Sequence, residues 1–166
     1  VATGAREYRP DEYLYGRDNR VMTHLELEEE ISSRRERIQS CRSLVMIQCV
    51  GSRDSERPYC SRVCCGQAVK NAVQLKKMNP EMKIYVLYRD MRTYGLMENA
   101  YRDAADSGVV FIRYHEADKP EVQVNESGIQ VVVTEPTLGQ KMMFQADLLS
   151  LAAATIPPGD NHGLSQ

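Results

Sequence analysis

The chain has 166 residues, a net charge of −2 and 42% hydrophobic residues. This length can bury one solid core, so we expect about one domain. The weak net charge gives no electrostatic case for binding nucleic acid or an anionic membrane surface. No apolar run approaches the roughly 20 residues that span a bilayer, so no membrane insertion is expected.

The first forty residues predict an irregular connection followed by one helix. Residues 1–5 (VATGA) lack an initiator methionine and are typical of the end of a strand, which predicts a piece of a longer protein. Residues 6–20 are charged and rich in tyrosine, which indicates a connection. Thr23 and Glu26 form a capping-box pattern, so we predict a helix over about residues 25–39 with a charged, solvated face.

A strand-loop-helix corner comes next and holds most of the cysteines. Residues 44–50 form an apolar run broken only by Gln48, which is typical of a buried parallel strand. Turn-forming residues follow, and a helical pattern starts near Cys60. Open α/β sheets bind their ligands at such corners. Cysteines crowded here, without a secretory signal, indicate reduced thiols, a metal and a cytoplasmic location.

The rest of the chain predicts further strands and helices in alternation, then a meander. The alternating elements are a strand over residues 83–88, a helix over 94–107 and a strand over 109–114. The meander segments are 121–124, 128–134 and 141–144, followed by a last strand over 147–154 and an exit linker. This order predicts an α/β, Rossmann-like, three-layer domain with a parallel sheet and a β-meander.

The glycines of a dinucleotide site are absent from this layout. A G-x-G-x-x-G pattern must follow the first strand so that the backbone can approach the pyrophosphate. The chain has CVGSRD there, with Gly51 alone, and we interpret Asp90 after the second strand as an ordinary carboxylate. We therefore expect NADH or NADPH to bind no better than millimolar.

Four cysteines have the spacing Cys-x10-Cys-x3-Cys-Cys, with Cys49 first and Cys60, Cys64 and Cys65 after it. A four-residue separation predicts that Cys60 and Cys64 share one helical face. Cys65 points about 100° away from Cys64. Adjacent thiols suit a single tetrahedral zinc poorly, whereas a cubane iron–sulfur cluster accepts thiolates from wider corners.

The residues alone leave three interpretations of these thiols open. They are an iron–sulfur cluster, a zinc site or redox disulfide, and a group of small buried cysteines. Arg53, Arg57 and Arg62 would offset the charge of a cluster. Cys41 lies outside the group and is interpreted as a buried thiol. His24, His115 and His162 are scattered and interpreted as surface residues.

Four segments resemble the A subunit of heterodisulfide reductases, namely MIQCVGSRD, RPYCSRVCC, IYVLYRDMRTYG and VVFIRY. The resemblance covers most of the chain. It implies a [4Fe–4S] cluster held by Cys49, Cys60, Cys64 and Cys65. It also implies an architecture similar to thioredoxin reductase, in which an FAD domain is split and a nicotinamide-type domain is inserted between its halves.

On this resemblance, residues 1–5 end a missing FAD-domain half, with Ala2, Thr3 and Gly4 as FAD contacts of the full-length protein. Residues 6–40 are a connection with the charged helix, 41–156 the inserted Rossmann-like domain and 157–166 the exit linker. The implied function is that of an oxidoreductase subunit relaying electrons between FAD and other iron–sulfur centres. The implied partners are the other subunits of such a complex, with a homodimer left open. The alternatives are a scaffold that docks partner subunits and a zinc-binding module.

Overall fold

The computed structural model describes residues 4–33, 35–126 and 128–159. Its helices are α1 (His24–Ser33), α2 (Arg35–Ser40), α3 (Cys64–Met78) and α4 (Met97–Asp106). Its first five strands are β1 (Arg6–Glu7), β2 (Val21–Thr23), β3 (Ser43–Val50), β4 (Lys83–Tyr88) and β5 (Val110–Arg113). The remaining strands are β6 (Glu121–Asn125), β7 (Gly128–Glu135), β8 (Gln140–Ala146), β9 (Leu148–Ala153) and β10 (Thr155–Ile156).

A five-stranded parallel sheet forms the centre, in the order β2-β9-β3-β4-β5. Strand β3 lies in the middle because nearly all of its side chains are apolar, and Leu44 through Ile47 are completely buried. Such a strand is stable only where both faces of the sheet are covered. The predicted α/β class with a parallel sheet is confirmed.

Two hydrophobic clusters cover the two faces of this sheet. On one face, helices α1, α2 and α3 pack against the sheet through Leu27, Ile38 and Leu75. On the other face, the antiparallel sheet β6-β7-β8 packs through side chains such as Ile129 and Val131. Alternate residues of β7 are buried, as expected for a strand with one face in the core. The arrangement is the predicted three layers, with the β-meander as the third.

Several element boundaries differ from the sequence-based prediction. Helix α3 begins at Cys64 and not near Cys60, because Arg62 has a left-handed backbone with φ of 65°. Cys60 therefore lies in the loop, and the predicted shared helical face with Cys64 is wrong. Helix α4 begins after Gly95, whose φ is 61°. Strand β2, which pairs with β9 at the edge of the sheet, was not predicted.

The predicted capping box at the start of α1 is confirmed. The backbone N–H of Glu26 donates to Thr23 Oγ1 at 3.3 Å, and the backbone N–H of Thr23 donates to Glu26 Oε2 at 2.8 Å. Among the described residues, no helix has the length and apolarity that crossing a bilayer requires.

A buried polar network joins the start of α1 to strands β3 and β9 through His24, which is only 1% exposed. The Gln48 amide nitrogen donates to His24 Nε2 at 3.1 Å, so His24 carries its proton on Nδ1, which lies 2.6 Å from Ser150 Oγ. The interpretation of His24 as a surface residue is therefore wrong. His115 is exposed, and His162 lies outside the described residues.

A two-stranded antiparallel ribbon joins the two ends of the described chain. In it Arg6 pairs with Ile156 and Glu7 pairs with Thr155. The backbone N–H of Tyr8 continues the pairing with a 2.8 Å hydrogen bond to the carbonyl of Ala154. The chain therefore enters and leaves this part of the structure side by side.

Candidate functional site at the cysteine corner

Cys49 stands where β3 leaves the sheet. The pairing of β3 with β9 shifts register between Ile47 and Val50, and Cys49 in this bulge has a left-handed φ of 63°. Only glycine, and less often asparagine or aspartate, adopts this conformation without appreciable cost. The chain thus keeps a cysteine at a position where its backbone is strained, which is typical of functional sites.

The loop from β3 to α3 has hydrogen bonds of its own. The backbone N–H of Arg53 donates to the carbonyls of Arg57 and Tyr59 at 2.6 Å and 3.1 Å, and the Asp54 carboxylate accepts from the Arg57 N–H at 2.6 Å. The Arg57 guanidinium also stacks on the ring of Tyr8, 4.3 Å from its centre. These bonds set the course of the chain toward Cys60, whose sulfur accepts from the Arg62 N–H at 3.3 Å.

The vicinal pair Cys64 and Cys65 is buried in the first turn of α3. Both thiols pack with Ala152 of β9 and Met91 after β4, so water has little access to them. The Cys65 thiol lies 3.7 Å from the carbonyl of Asp90. A hydrogen bond between the two thiols lowers the pKa of Cys65 and raises the pKa of Cys64, because the first thiolate formed accepts it.

The other three cysteines of the group all contribute to the raised pKa of Cys64. The pKa of Cys64 is raised first by its hydrogen bond with Cys65, then by burial, and further by the charges of Cys65, Cys49 and Cys60. Within the described residues, however, no three side chains of His, Cys, Asp or Glu are close enough to hold a single metal ion. All five cysteines are free thiols. The four-cysteine ligand set therefore stays a prediction.

A cluster of arginines surrounds Asp90 beside these thiols. Arg53 donates to the Asp90 carboxylate at 2.6 Å, and Arg113 and Arg92 lie 3.8 Å and 4.0 Å from it. The hydrogen bond from Arg53 is the main reason why the pKa of Asp90 is lowered. Arg53 also places a guanidinium nitrogen 3.9 Å from Cys49 Sγ, so this cluster brings positive charge to the thiols.

The structure confirms only part of the charge arrangement expected from the sequence. Arg53 lies beside Cys49 as expected, whereas Arg57 turns to Tyr8 and Arg62 is exposed. Asp90 is not an ordinary strand-end carboxylate, since it organises the arginine cluster. The contribution of Arg113 was missed because it comes from β5, a contact that depends on the strand order.

The ring of Tyr8 packs closely against Gly51, the residue that follows β3. A Cβ atom on Gly51 would lie 2.4 Å from the ring of Tyr8, so that ring occupies the space in front of the glycine. The weak nicotinamide binding expected from the sequence stays a prediction. Ala2 and Thr3 lie outside the described residues, and Gly4 has no atom within 4 Å of the position of a Cβ.

Comparison with curated proteins identifies relatives over most of the chain. It is 45% identical over 124 residues, 70% of the chain, to the A subunit of ferredoxin:CoB-CoM heterodisulfide reductase of Methanosarcina acetivorans. It is 37% identical over 172 aligned positions, 94% of the chain, to the iron-sulfur A subunit of the CoB–CoM heterodisulfide reductase of Methanocaldococcus jannaschii. The chain belongs to the family of heterodisulfide reductase A subunits.

This segment spans 15% and 26% of the lengths of these two heterodisulfide reductase subunits. No family model matches the chain. Its fold is similar to that of thioredoxin reductase from Lactococcus lactis, with a TM-score of 0.58 and 15% identity over 95% of the chain and 44% of that protein. This likeness confirms the predicted fold.

Proposed function

We propose that this segment is the cluster-bearing part of a heterodisulfide reductase-type oxidoreductase subunit in the cytoplasm. Cys49, Cys60, Cys64 and Cys65 would hold a [4Fe–4S] cluster, which supplies one-electron transfer when bound. The observation that carries the proposal is geometric: Cys49 has a left-handed backbone in the bulge at the end of β3, and the buried Cys64 and Cys65 begin the helix that follows the same loop. The relative named as an iron-sulfur subunit supports it.

The residues around the corner suit a redox centre of negative charge. Arg53 and Arg92 bring positive charge to this group of thiols. The largest cause of the lowered pKa of Cys65 is its hydrogen bond with Cys64, and the two arginines lower this pKa further. Positive neighbours favour thiolates, the form that binds iron. Met91 and Ala152 cover the vicinal pair from the apolar side.

We further propose how this segment connects to the rest of the oxidoreductase. Residues 1–5 and the region after Ile156 would connect to an FAD domain, and the segment would pass electrons between the flavin and other iron–sulfur centres. The side-by-side course of β1 and β10 supports an inserted domain of this kind. The partners would be the other subunits of the complex, and the name of the relative from Methanosarcina acetivorans includes ferredoxin.

The test is anaerobic reconstitution with iron and sulfide. We expect about four irons per chain and broad visible absorption for a cubane cluster. Cys65→Ser should abolish both, and the matched control Cys41→Ser should leave both unchanged. Cys41 is also a buried thiol, but it lies at the opposite end of β3, where it hydrogen-bonds the Ser43 carbonyl.

Other outcomes would identify the alternatives. Stoichiometric zinc that competes with iron would favour a zinc-binding module. A chain that takes up neither metal, with all five thiols still reactive after unfolding, would contradict the cluster and favour the docking scaffold.

A further inference from the structure

Four large apolar side chains are exposed beside the cysteine corner. They belong to the residues immediately before or at the start of α3 and α4, and the most exposed are Tyr94 at 75% and Leu96 at 87%. Val63 and Met97 complete the group, which we call the corner surface. Exposed apolar side chains that cluster in this way mark interaction sites.

The contacts of the neighbouring residues show that these side chains share one surface. The methyl group of Met97 lies 3.2 Å from the position of a Cβ on Gly66, one helical turn after Val63. Met91, which lies three residues before Tyr94, packs on Cys64 and Cys65. The segment that carries Tyr94 and Leu96 therefore runs past the first turn of α3, next to the buried thiols.

The arginine cluster adjoins this surface through Arg92, which lies two residues before Tyr94 in the chain. Arg53, Arg89, Arg92 and Arg113 are the positive groups, and their acidic partners are Asp90 and Glu116. Two positive charges are thus in excess. Arg113 is 56% exposed, which leaves its charge accessible to a partner.

The corner surface also lies on the opposite side of Cys49 from the ribbon of β1 and β10. The ribbon follows β9, on one side of β3, and Tyr59 touches it by donating to the Thr155 carbonyl at 3.3 Å. Residues 89–97 follow β4, on the other side of β3.

We propose that the corner surface docks a protein whose contact patch is apolar and rimmed by Asp and Glu residues. Apolar contact would supply the affinity, and the excess arginine charge would steer an acidic partner. The partner would come to rest next to the thiols. The docking of an acidic protein at this surface does not depend on the cluster. The further claim that electrons enter the protein here rests on the proposed function.

The test uses the complete protein that contains this segment, with a small acidic ferredoxin as the probe. Leu96→Asp should raise the dissociation constant at least about tenfold, because a charge replaces a central apolar contact. It should not lower the melting temperature, since Leu96 is the N-cap residue of α4 and aspartate is favoured at that position. The matched control Leu138→Asp, at a side chain 70% exposed in the turn between β7 and β8, should bind normally.

A second pair of variants tests the charge. Arg113→Glu should weaken binding and flatten its dependence on salt, whereas Lys141→Glu, at an exposed cation on β8, should change neither. Equal affinities for the wild type and Leu96→Asp would overturn the proposal, as would failure of the wild type to bind. Protection of Tyr94 and Leu96 from footprinting reagents in the complete protein without its probe would also overturn it, because the protein's own domains would then cover them.

Iron analysis of the same samples separates the two proposals. Loss of binding in Leu96→Asp by a protein without a cluster supports the docking surface and contradicts the relay. A full cluster with equal binding by all variants supports the relay and overturns the docking surface.

Discussion

Acidification should destabilise the fold through His24. Burial lowers the pKa of His24 from 6.5 to about 4, so the imidazole stays neutral in the folded protein. Between these values the unfolded chain binds a proton that the folded chain does not, and stability is therefore lost as the pH falls from 6.5 toward 4. A difference of about 2.5 pKa units corresponds to about 3 kcal/mol at the end of that window.

The geometry explains why protonation is costly here. His24 Nε2 accepts from the Gln48 amide, and an imidazolium would turn this contact into two opposed donors in the core. Gln48 Oε1 has no hydrogen-bond partner among the described residues. This oxygen could accept a proton from the imidazolium only if the Gln48 amide group rotated by half a turn, which would exchange its oxygen and nitrogen. The folded state therefore resists the second proton.

The assay is urea unfolding followed by circular dichroism at pH 7 and pH 4.5. The wild type should lose about 2.5 kcal/mol more than His24→Gln between the two pH values. The matched control His115→Gln removes an exposed histidine and should keep the pH dependence of the wild type. An identical loss in wild type and His24→Gln would refute the reasoning.

Three further predictions concern packing and ligand binding. Gly51→Ala should cost about 2–4 kcal/mol, because it combines a left-handed φ with a clash against Tyr8, whereas Gly139→Ala, with a similar φ and open space, should cost about 1 kcal/mol in the same urea assay. Equal costs would show that Tyr8 moves aside freely. Leu75→Ala should cost about 2–5 kcal/mol by the same measurement, since Leu75 is completely buried, and a loss below about 1 kcal/mol would contradict the packing. Calorimetry should detect no micromolar binding of NADH or NADPH, and such binding would contradict the blocked position at Gly51.

The sequence was sufficient for the central strands and insufficient for the corner. Strands β3 and β4 could be predicted because each is a short apolar run rich in β-branched or aromatic residues and followed by turn residues or charged residues. Strand β2 was missed because its three residues merge with the helical pattern that follows. The left-handed backbone of Cys49 and Arg62 is set by contacts across the corner, and neither residue type signals it.

The candidate site shows the same division. The four cysteines were grouped from their spacing and resemblance, and that ligand set stays a prediction. The arginine partners of Asp90 were not predicted, because they come from three different segments of the chain. His24 was misjudged because a single histidine on a charged helix gives no sign that its ring contacts Ser150 of β9. Contacts of this kind depend on strand order, which local patterns do not encode.

The ribbon of β1 and β10 has a consequence for how such a unit could evolve. Arg6 and Ile156 lie opposite each other in one ladder, although 149 residues lie between them. Once the unit is folded, its two ends lie side by side, so a host protein has to close only a gap of hairpin size. While the unit is unfolded, the entropy cost of the longer loop grows only slowly with its length. A unit with this geometry can be gained or lost at a surface turn while the host keeps its register and its core. Inheritance of the cysteine corner together with this unit would then require no matching change elsewhere.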